Sequence, residues 1–213
     1  MKLYGYFRSS AAFRVRIALN LKKLEYENAF IHLRRGDQSG SEFLGVNPQG
    51  LVPTLETDGE KLIQSLAIIE YLDETHPEPP FLPRDPAGRA RVRALAGIVA
   101  CDIHPLNNLR VLRYLHRPLG HDQEAIEHWY NHWIISGFTA FERLLSEDRR
   151  TGAFCHGEYP GLADIALVPQ VVNAERYSLD LAPYPTIGRI FETCMKLDAF
   201  AAAHPARQPD REE

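Results

Sequence analysis

The chain has 213 residues, 45% apolar and 24% charged, which is the make-up of an ordinary globular protein and excludes disordered, collagen-like or disulfide-scaffold classes. Its 24 Lys and Arg stand against 28 Asp and Glu, a formal net charge of −4, so no basic excess exists to hold nucleic acid. The longest apolar runs, such as Ala163 to Val172, are interrupted by Asp164, Pro169 and Gln170 and fall short of the roughly 20 residues of a membrane span.

The start, Met1-Lys2-Leu3-Tyr4-Gly5-Tyr6, lacks the basic, apolar and small-residue pattern of a secretory signal. Cys101, Cys155 and Cys194 are few, odd in number and widely spaced, which suits a reducing compartment, and the expected location is the cytoplasm. Leu3 to Phe7 reads as a strand. Ser9 and Ser10 then precede Phe13, Ile17, Leu21 and Leu24 at helical spacing, with Arg14, Arg16, Lys22 and Lys23 between them. That pattern predicts an amphipathic helix with a serine start. Tyr26 to Leu33 reads as a second strand, parallel to the first. Gly36 to Gly45 is polar and irregular, with a helical turn around Phe43 and Leu44.

Asn47-Pro48-Gln49-Gly50 is a dense turn signal. Val52 to Glu56 and Lys61 to Ile63, joined through Asp58-Gly59, predict a hairpin, with Pro53 at a sheet edge or in an unusual backbone geometry. Ser65 opens another helix through Ile68, Ile69, Tyr71 and Leu72. The order so far is βαβ and then ββα. His76 to Gly88, with five prolines, predicts a linker. Everything after it is helical in pattern: about Arg89 to Arg117, Gln123 to Glu147, Leu162 to Arg176, and Thr186 to Ala203. The fold class expected is a small α/β domain followed by an all-helical one.

Two helix starts, at Ser9-Ser10 and at Gln64-Ser65, are places where unpaired N–H groups and the helix dipole can hold an anion. Spacing alone leaves open whether the serines bind a ligand or merely cap their helices. His128 and His132 share a helix face without a third ligand, the pattern of surface histidines. Cys101 and His104 read as core and cleft residues. Trp129, Trp133, Phe138 and Phe141 read as a packing stripe.

Strand, Ser9-Ser10 and Arg14-Val15-Arg16-Ile17-Ala18-Leu19 resemble the zeta class of glutathione transferases. So do Asn47-Pro48-Gln49-Gly50, Val52-Pro53 and Gln64-Ser65-Leu66-Ala67-Ile68-Ile69-Glu70-Tyr71-Leu72. The likeness continues through Asp102-Ile103-His104-Pro105-Leu106-Asn107-Asn108, Leu162-Ala163-Asp164, Asn173-Ala174-Glu175-Arg176-Tyr177 and the tail His204-Pro205-Ala206-Arg207-Gln208-Pro209-Asp210. It covers essentially the whole chain in order. The class includes the maleylacetoacetate and maleylpyruvate isomerases.

The resemblance implies a thioredoxin-like, glutathione-binding domain over residues 1–80, a linker at 81–87 and an all-helical domain over 88–213 carrying the electrophile site. It further implies a cis Val52-Pro53 bond, with the Val52 backbone, Gln64 and Ser65 holding glutathione and Gln49 and His104 towards its glycyl end. Ser9, with Ser10 as the alternative, would stabilise the thiolate. Arg8, Asn108, Arg110 and Arg176 would meet the carboxylates of a diacid substrate. A homodimer with neither nucleic-acid nor membrane partner is implied as well.

Two departures stand out. Ala11 occupies the place where the class usually has a cysteine after the serines, and Gly161 stands where a Ser or Thr commonly caps the helix three residues before Asp164. Glutathione brings its own thiol, so the missing cysteine is expected to tune the site without abolishing it. Asp164 is expected to bond back to its helix start in a structural role. The activity expected is glutathione-dependent cis–trans isomerisation of a maleyl keto diacid, with conjugation of small electrophiles or halogenated acids and a non-catalytic glutathione-binding module as alternatives.

Overall fold

The computed structural model describes residues 1–212, which divide into two compact units. One is Met1–Phe81 together with the C-terminal segment that begins at Met195; the other is Leu82–Cys194. The first holds a four-stranded sheet of order β2-β1-β3-β4. β1 (Lys2–Gly5) runs parallel to β2 (Glu27–Phe30) and antiparallel to β3 (Thr54–Thr57), which turns through Asp58-Gly59 into β4 (Glu60–Ile63). The helices α1 (Ser10–Leu21) and α3 (Ser65–Thr75) pack against each other, and the single turn α2 (Ser41–Leu44) sits in the connection between β2 and β3. Both strand pairs expected from the sequence form; β1, β2 and β3 are shorter than their apolar patterns, and β4 starts one residue earlier than its pattern, at Glu60.

α1 departs from its expected amphipathic character. Ala12, Phe13, Val15, Ile17, Ala18 and Leu19 are buried, and so are Arg14, Arg16 and Lys22, which the alternating pattern assigns to a polar face. A helix covered on all sides must find partners for its charges. Lys22 finds them in Asp73 Oδ1 at 2.8 Å and the carbonyl of Pro79 at 2.6 Å, with the Phe81 ring beneath its ammonium. What covers the remaining side is the C-terminal segment: α9 (Asp198–Ala203) lies on α1, and Asn20 donates to the carbonyl of Ala199 at 3.0 Å.

The second unit contains α4 (Pro86–Gly97), a π-helical turn (Ile98–Ile103), α5 (Leu109–His116), α6 (Gln123–Ser146), α7 (Leu162–Arg176) and α8 (Pro185–Met195), whose last residue falls at the boundary. α4 begins inside the stretch expected to be linker, because Pro86 sits at the first helical position, where no N–H is needed. Asp85 caps it by accepting the N–H of Gly88 at 2.7 Å. The single helix expected over 89–117 is instead interrupted: the π turn and Pro105 end it, and Asn108 starts α5 afresh by accepting the N–H of Arg110 at 3.1 Å. Gly137 lets α6 approach that turn, since any side chain there would collide with Ile103. The helix expected over 186–203 is likewise two, α8 and α9, broken at Lys196-Leu197. All three cysteines are free thiols.

Candidate functional site

Ser9 follows the first strand in an extended conformation (φ −69°, ψ 113°) and caps α1, its Oγ accepting the N–H of Ala12 at 3.2 Å. Its own N–H returns to the carbonyl of Tyr6 at 2.9 Å, closing a tight turn. A hydroxyl that accepts a cap bond keeps its hydrogen for a second partner. Ser10 is the first residue of the helix and is buried, whereas Ser9 is half-buried. Arg8, beside them, is exposed with its guanidinium over the Phe7 ring at 5.2 Å.

The start of α3 is built differently. Gln64 occupies the N-cap position with φ +69°, and its side chain caps nothing; it donates instead to Gln49 Oε1 at 3.0 Å. The first N–H groups of α3 therefore have no side-chain acceptor. Ser65 opens the helix with its hydroxyl accepting from Arg14 Nη1 at 3.2 Å, and Arg14 is only 1% exposed. A buried guanidinium thus lies directly behind an uncapped helix start, and the two positive contributions add. Arg14 was missed by sequence reasoning. Its signal was available, a charged residue within an otherwise apolar helix, but its partner lies 51 residues away.

The turn before this helix is held from within. Asn47 donates to the carbonyl of Leu51 at 2.7 Å and accepts the N–H of Gln49 at 3.0 Å. The Val52-Pro53 bond is cis, as the resemblance implies; Glu78-Pro79 is cis as well. Among the described residues, the N–H and C=O of Val52 have no hydrogen-bond partner. Within the first unit Arg14 thus ties α1 to Ser65, and Gln49 and Gln64 are paired through their side-chain amides.

His104, Asn108, Arg110 and Arg176 belong to the second unit. His104 follows the π turn, its N–H reaching the carbonyl of Val99 at 2.9 Å. Asn108 is engaged as the cap of α5 through its side-chain oxygen. The neighbouring Asn107 is buried and donates to the carbonyl of Tyr130 at 2.9 Å; Tyr130 stacks on Tyr177 at 3.7 Å, and the Arg176 guanidinium lies over Tyr177 and beside the Tyr130 hydroxyl. Burial pushes the Tyr130 hydroxyl well above the usual phenol range, so it stays neutral while its oxygen accepts from that guanidinium. Arg8, Arg110 and Arg176 have no carboxylate partner among the described residues, although Arg91 and Arg150 do.

The closing of α7 contrasts with these. Asp164, 1% exposed, accepts the N–H groups of Cys155 at 2.8 Å and Gly161 at 2.9 Å, the structural back-bond expected of it. Burial is the largest influence on its carboxyl and raises it, with those N–H groups opposing. Phe138 and Phe141 are core residues, but Trp129 and Trp133 are half-buried and line a pocket of about 350 Å³ with His128 and His132. No group of three or more metal-ligating side chains occurs among the described residues.

The sequence profile of the glutathione S-transferase N-terminal domain matches residues 1–74. A maleylpyruvate isomerase of a Ralstonia species is 51% identical over 210 residues, covering 99% of each chain. A solved maleylpyruvate isomerase, described as a bacterial glutathione S-transferase of the zeta class, superposes over the full length of both chains with a TM-score of 0.98 at 50% identity. A solved maleylacetoacetate isomerase from Methylobacterium extorquens, with malonate and glutathione bound, does so with a TM-score of 0.97 at 46% identity. The strand order, the thioredoxin-like first part and the helical remainder are those of the glutathione transferase fold. The chain belongs to the zeta-class glutathione transferases, in the family of the maleylpyruvate and maleylacetoacetate isomerases.

Proposed function

We propose that this chain is a glutathione-dependent isomerase that converts a maleyl keto diacid, maleylpyruvate or maleylacetoacetate, to its fumaryl isomer. The observation that carries the reading is identity of about half, over whole chains, to isomerases of both names. The residues present fit glutathione. The unpartnered N–H and C=O of Val52 offer a main-chain pairing edge beside a cis proline, and the uncapped start of α3, backed by Arg14, offers a carboxylate site. In this reading residues 1–80 bind glutathione through Val52, Pro53, Gln64 and Ser65, with Gln49 and His104 towards its glycyl end, and residues 88–213 carry the electrophile site.

Bound there, glutathione would supply a thiolate that adds reversibly to the cis double bond, leaving a single bond free to rotate before elimination. A free thiol near pKa ~8.5 is mostly protonated at neutral pH, so a donor has to favour its ionised form. Ser9 supplies that donor, because its oxygen already serves the helix and its hydrogen does not; Ser10 is the alternative. Arg8, Arg110 and Arg176, none of which has a carboxylate partner among the described residues, hold the two carboxylates of the substrate, and Asn108 orients the turn beside Arg110. The same reading makes the protein a two-fold homodimer of the cytoplasm, which light scattering and cell fractionation check.

The test is isomerisation of each maleyl substrate, followed by ultraviolet absorbance with and without glutathione. Turnover should require glutathione. Ser9→Ala should lower kcat by about 10²–10³ while changing the KM for glutathione little, as for removal of other single donors at a developing charge. Absence of turnover on both substrates, with glutathione still bound, overturns the reading in favour of a binding module. Replacing Arg8, Arg110 or Arg176 by Met should cost about tenfold or more in kcat/KM on the diacid and little on a neutral chlorinated dinitrobenzene. Equal losses on both would assign the arginines to glutathione or to structure.

A further inference from the structure

The tail motif from His204 to Asp210 has no part in the chemistry above, yet it reaches the turn that delivers Arg8 and Ser9. Asp210 Oδ2 accepts the N–H of Phe7 at 2.9 Å, across 203 residues of sequence. The carbonyl of Phe7 accepts from Arg16 Nη2 at 3.1 Å, so both polar groups of that peptide residue are held. Arg16 Nη1 reaches the carbonyl of Tyr6 at 3.5 Å, the same oxygen that receives the N–H of Ser9 at 2.9 Å. Arg16 Nε in turn donates to the carbonyl of Ala203 at 3.1 Å, tying the guanidinium to the tail. Asp210 lies within electrostatic reach of that guanidinium, whose burial lowers it to about 10.

The tail is itself braced. Gln208 Nε2 donates to the carbonyls of Ala202 at 2.9 Å and His204 at 3.1 Å, fixing the loop that carries Asp210. Beyond it Glu212 pairs with His32 and lies 3.7 Å from Arg34. A grip needed only to fasten a terminus would be satisfied by Arg16, Asn20 and Glu212. Asp210 instead fixes the N–H of Phe7, inside the turn that links the end of the first strand to Ser9.

We propose that Asp210 is a positioning residue for the isomerase reaction: by accepting the N–H of Phe7 it sets the Tyr6-to-Ser9 turn, and through it the direction of the Ser9 hydroxyl. The inference rests on the reading of Ser9 as the donor to sulfur. A carboxylate-to-amide bond is among the stronger ones, and its loss lets the turn relax about the Tyr6 carbonyl.

The experiment compares Asp210→Ala, Asp210→Glu and Asp210→Asn, alone and in a Ser9→Ala background, by kcat, KM for glutathione and the pH dependence of kcat. Asp210→Ala should lower kcat about tenfold and move the acid limb of the pH profile upward by about one unit, with KM for glutathione within about twofold. Asp210→Asn keeps an acceptor and should recover most of the rate. Asp210→Glu keeps the charge beside Arg16 but displaces the acceptor, so it should fold like the parent and lose rate; it decides the matter if Asp210→Ala does not fold. In the Ser9→Ala background none of these changes should cost further rate. An unchanged kcat and acid limb in Asp210→Glu, or an undiminished loss in the Ser9→Ala background, overturns the inference. If Ser9→Ala alone is silent, the reading of Ser9 fails; if Ser9→Ala is impaired and the Asp210 variants are silent, only the role of Asp210 fails.

Discussion

The starts of α3 and α7 are opposite solutions to one problem. Each helix begins with N–H groups that have no partner within the helix. At α7 the problem is closed from inside the fold: Asp164 is buried, takes the Gly161 N–H, and extends its other oxygen to Cys155. At α3 it is left open, with Gln64 turned away towards Gln49 and a buried guanidinium behind Ser65. The charge on Asp164 is spent on the fold. The donors of α3 that no side chain takes remain available to a ligand, so hydrogen-bond accounting separates a closed helix start from an open one.

Asp164→Ala should show the larger effect, and on stability. Removing a buried carboxylate leaves the buried N–H of Cys155 and the partly buried N–H of Gly161 without acceptors, a loss of about 3–5 kcal/mol. For a chain of this length that corresponds to a fall in Tm of about 6–20 °C by calorimetry. The KM for glutathione, measured well below the new Tm, should stay within about twofold. Ser65→Ala should do the reverse, raising that KM about tenfold while Tm falls by no more than a few °C. A selective loss of glutathione binding in Asp164→Ala would break the comparison, as would a large loss of stability with normal binding in Ser65→Ala.

Much of this contrast was legible in the sequence. The serine starts, the hairpin of β3 and β4 and the back-bond of Asp164 follow from signals within a few residues of each other, which is the range over which caps and turns act; the parallel pair followed from the strand–helix–strand order. The burial of Arg14 and Arg16 was not. Their spacing assigns them to a polar face, and the acceptors that help make burial tolerable include Ser65 and Ala203, 51 and 187 residues away, which no local pattern reveals. The interruption of the long helix at the π turn was hidden because Ile98 to Ile103 continues an apolar helical pattern; Pro105 and Asn108 were the readable marks. The break between α8 and α9 was hidden for a related reason. Helical periodicity passes smoothly through Lys196 and Leu197 and carries no sign that α9 packs on α1. Of the candidate site, the residues offered the helix start at Gln64-Ser65 as one of two places for an anion and left capping open, while the cis proline came from the resemblance.

A third start tests the comparison with the smallest effect, because its closure is titratable. The one-turn helix Pro205–Arg207 begins at His204, whose Nδ1 accepts the N–H of Ala206 at 3.1 Å while the ring packs edge-on against Phe13. An accepting Nδ1 needs the neutral ring with its proton on Nε2. Burial, and then the charges of Arg16 and Arg207, lower the imidazole below its ordinary value of 6.5. The sign follows from proton counts: between the two values the unfolded chain binds the proton and the folded chain does not, so stability rises with pH. The contribution of His204 is complete above about 6.5 and is lost as pH falls through that value towards the lower folded one. Protonation also removes the acceptor of Ala206, turning a closed start into an open one. Amide exchange, corrected for intrinsic rates, should show the protection of Ala206 and Arg207 falling by less than about tenfold between pH ~7.5 and ~5.5, with α7 amides unchanged. His204→Asn, whose side-chain oxygen can accept the same N–H without titrating, should abolish the dependence. Protection that is flat with pH in the parent, or that falls equally in His204→Asn, would show that the closure of this start does not depend on the imidazole.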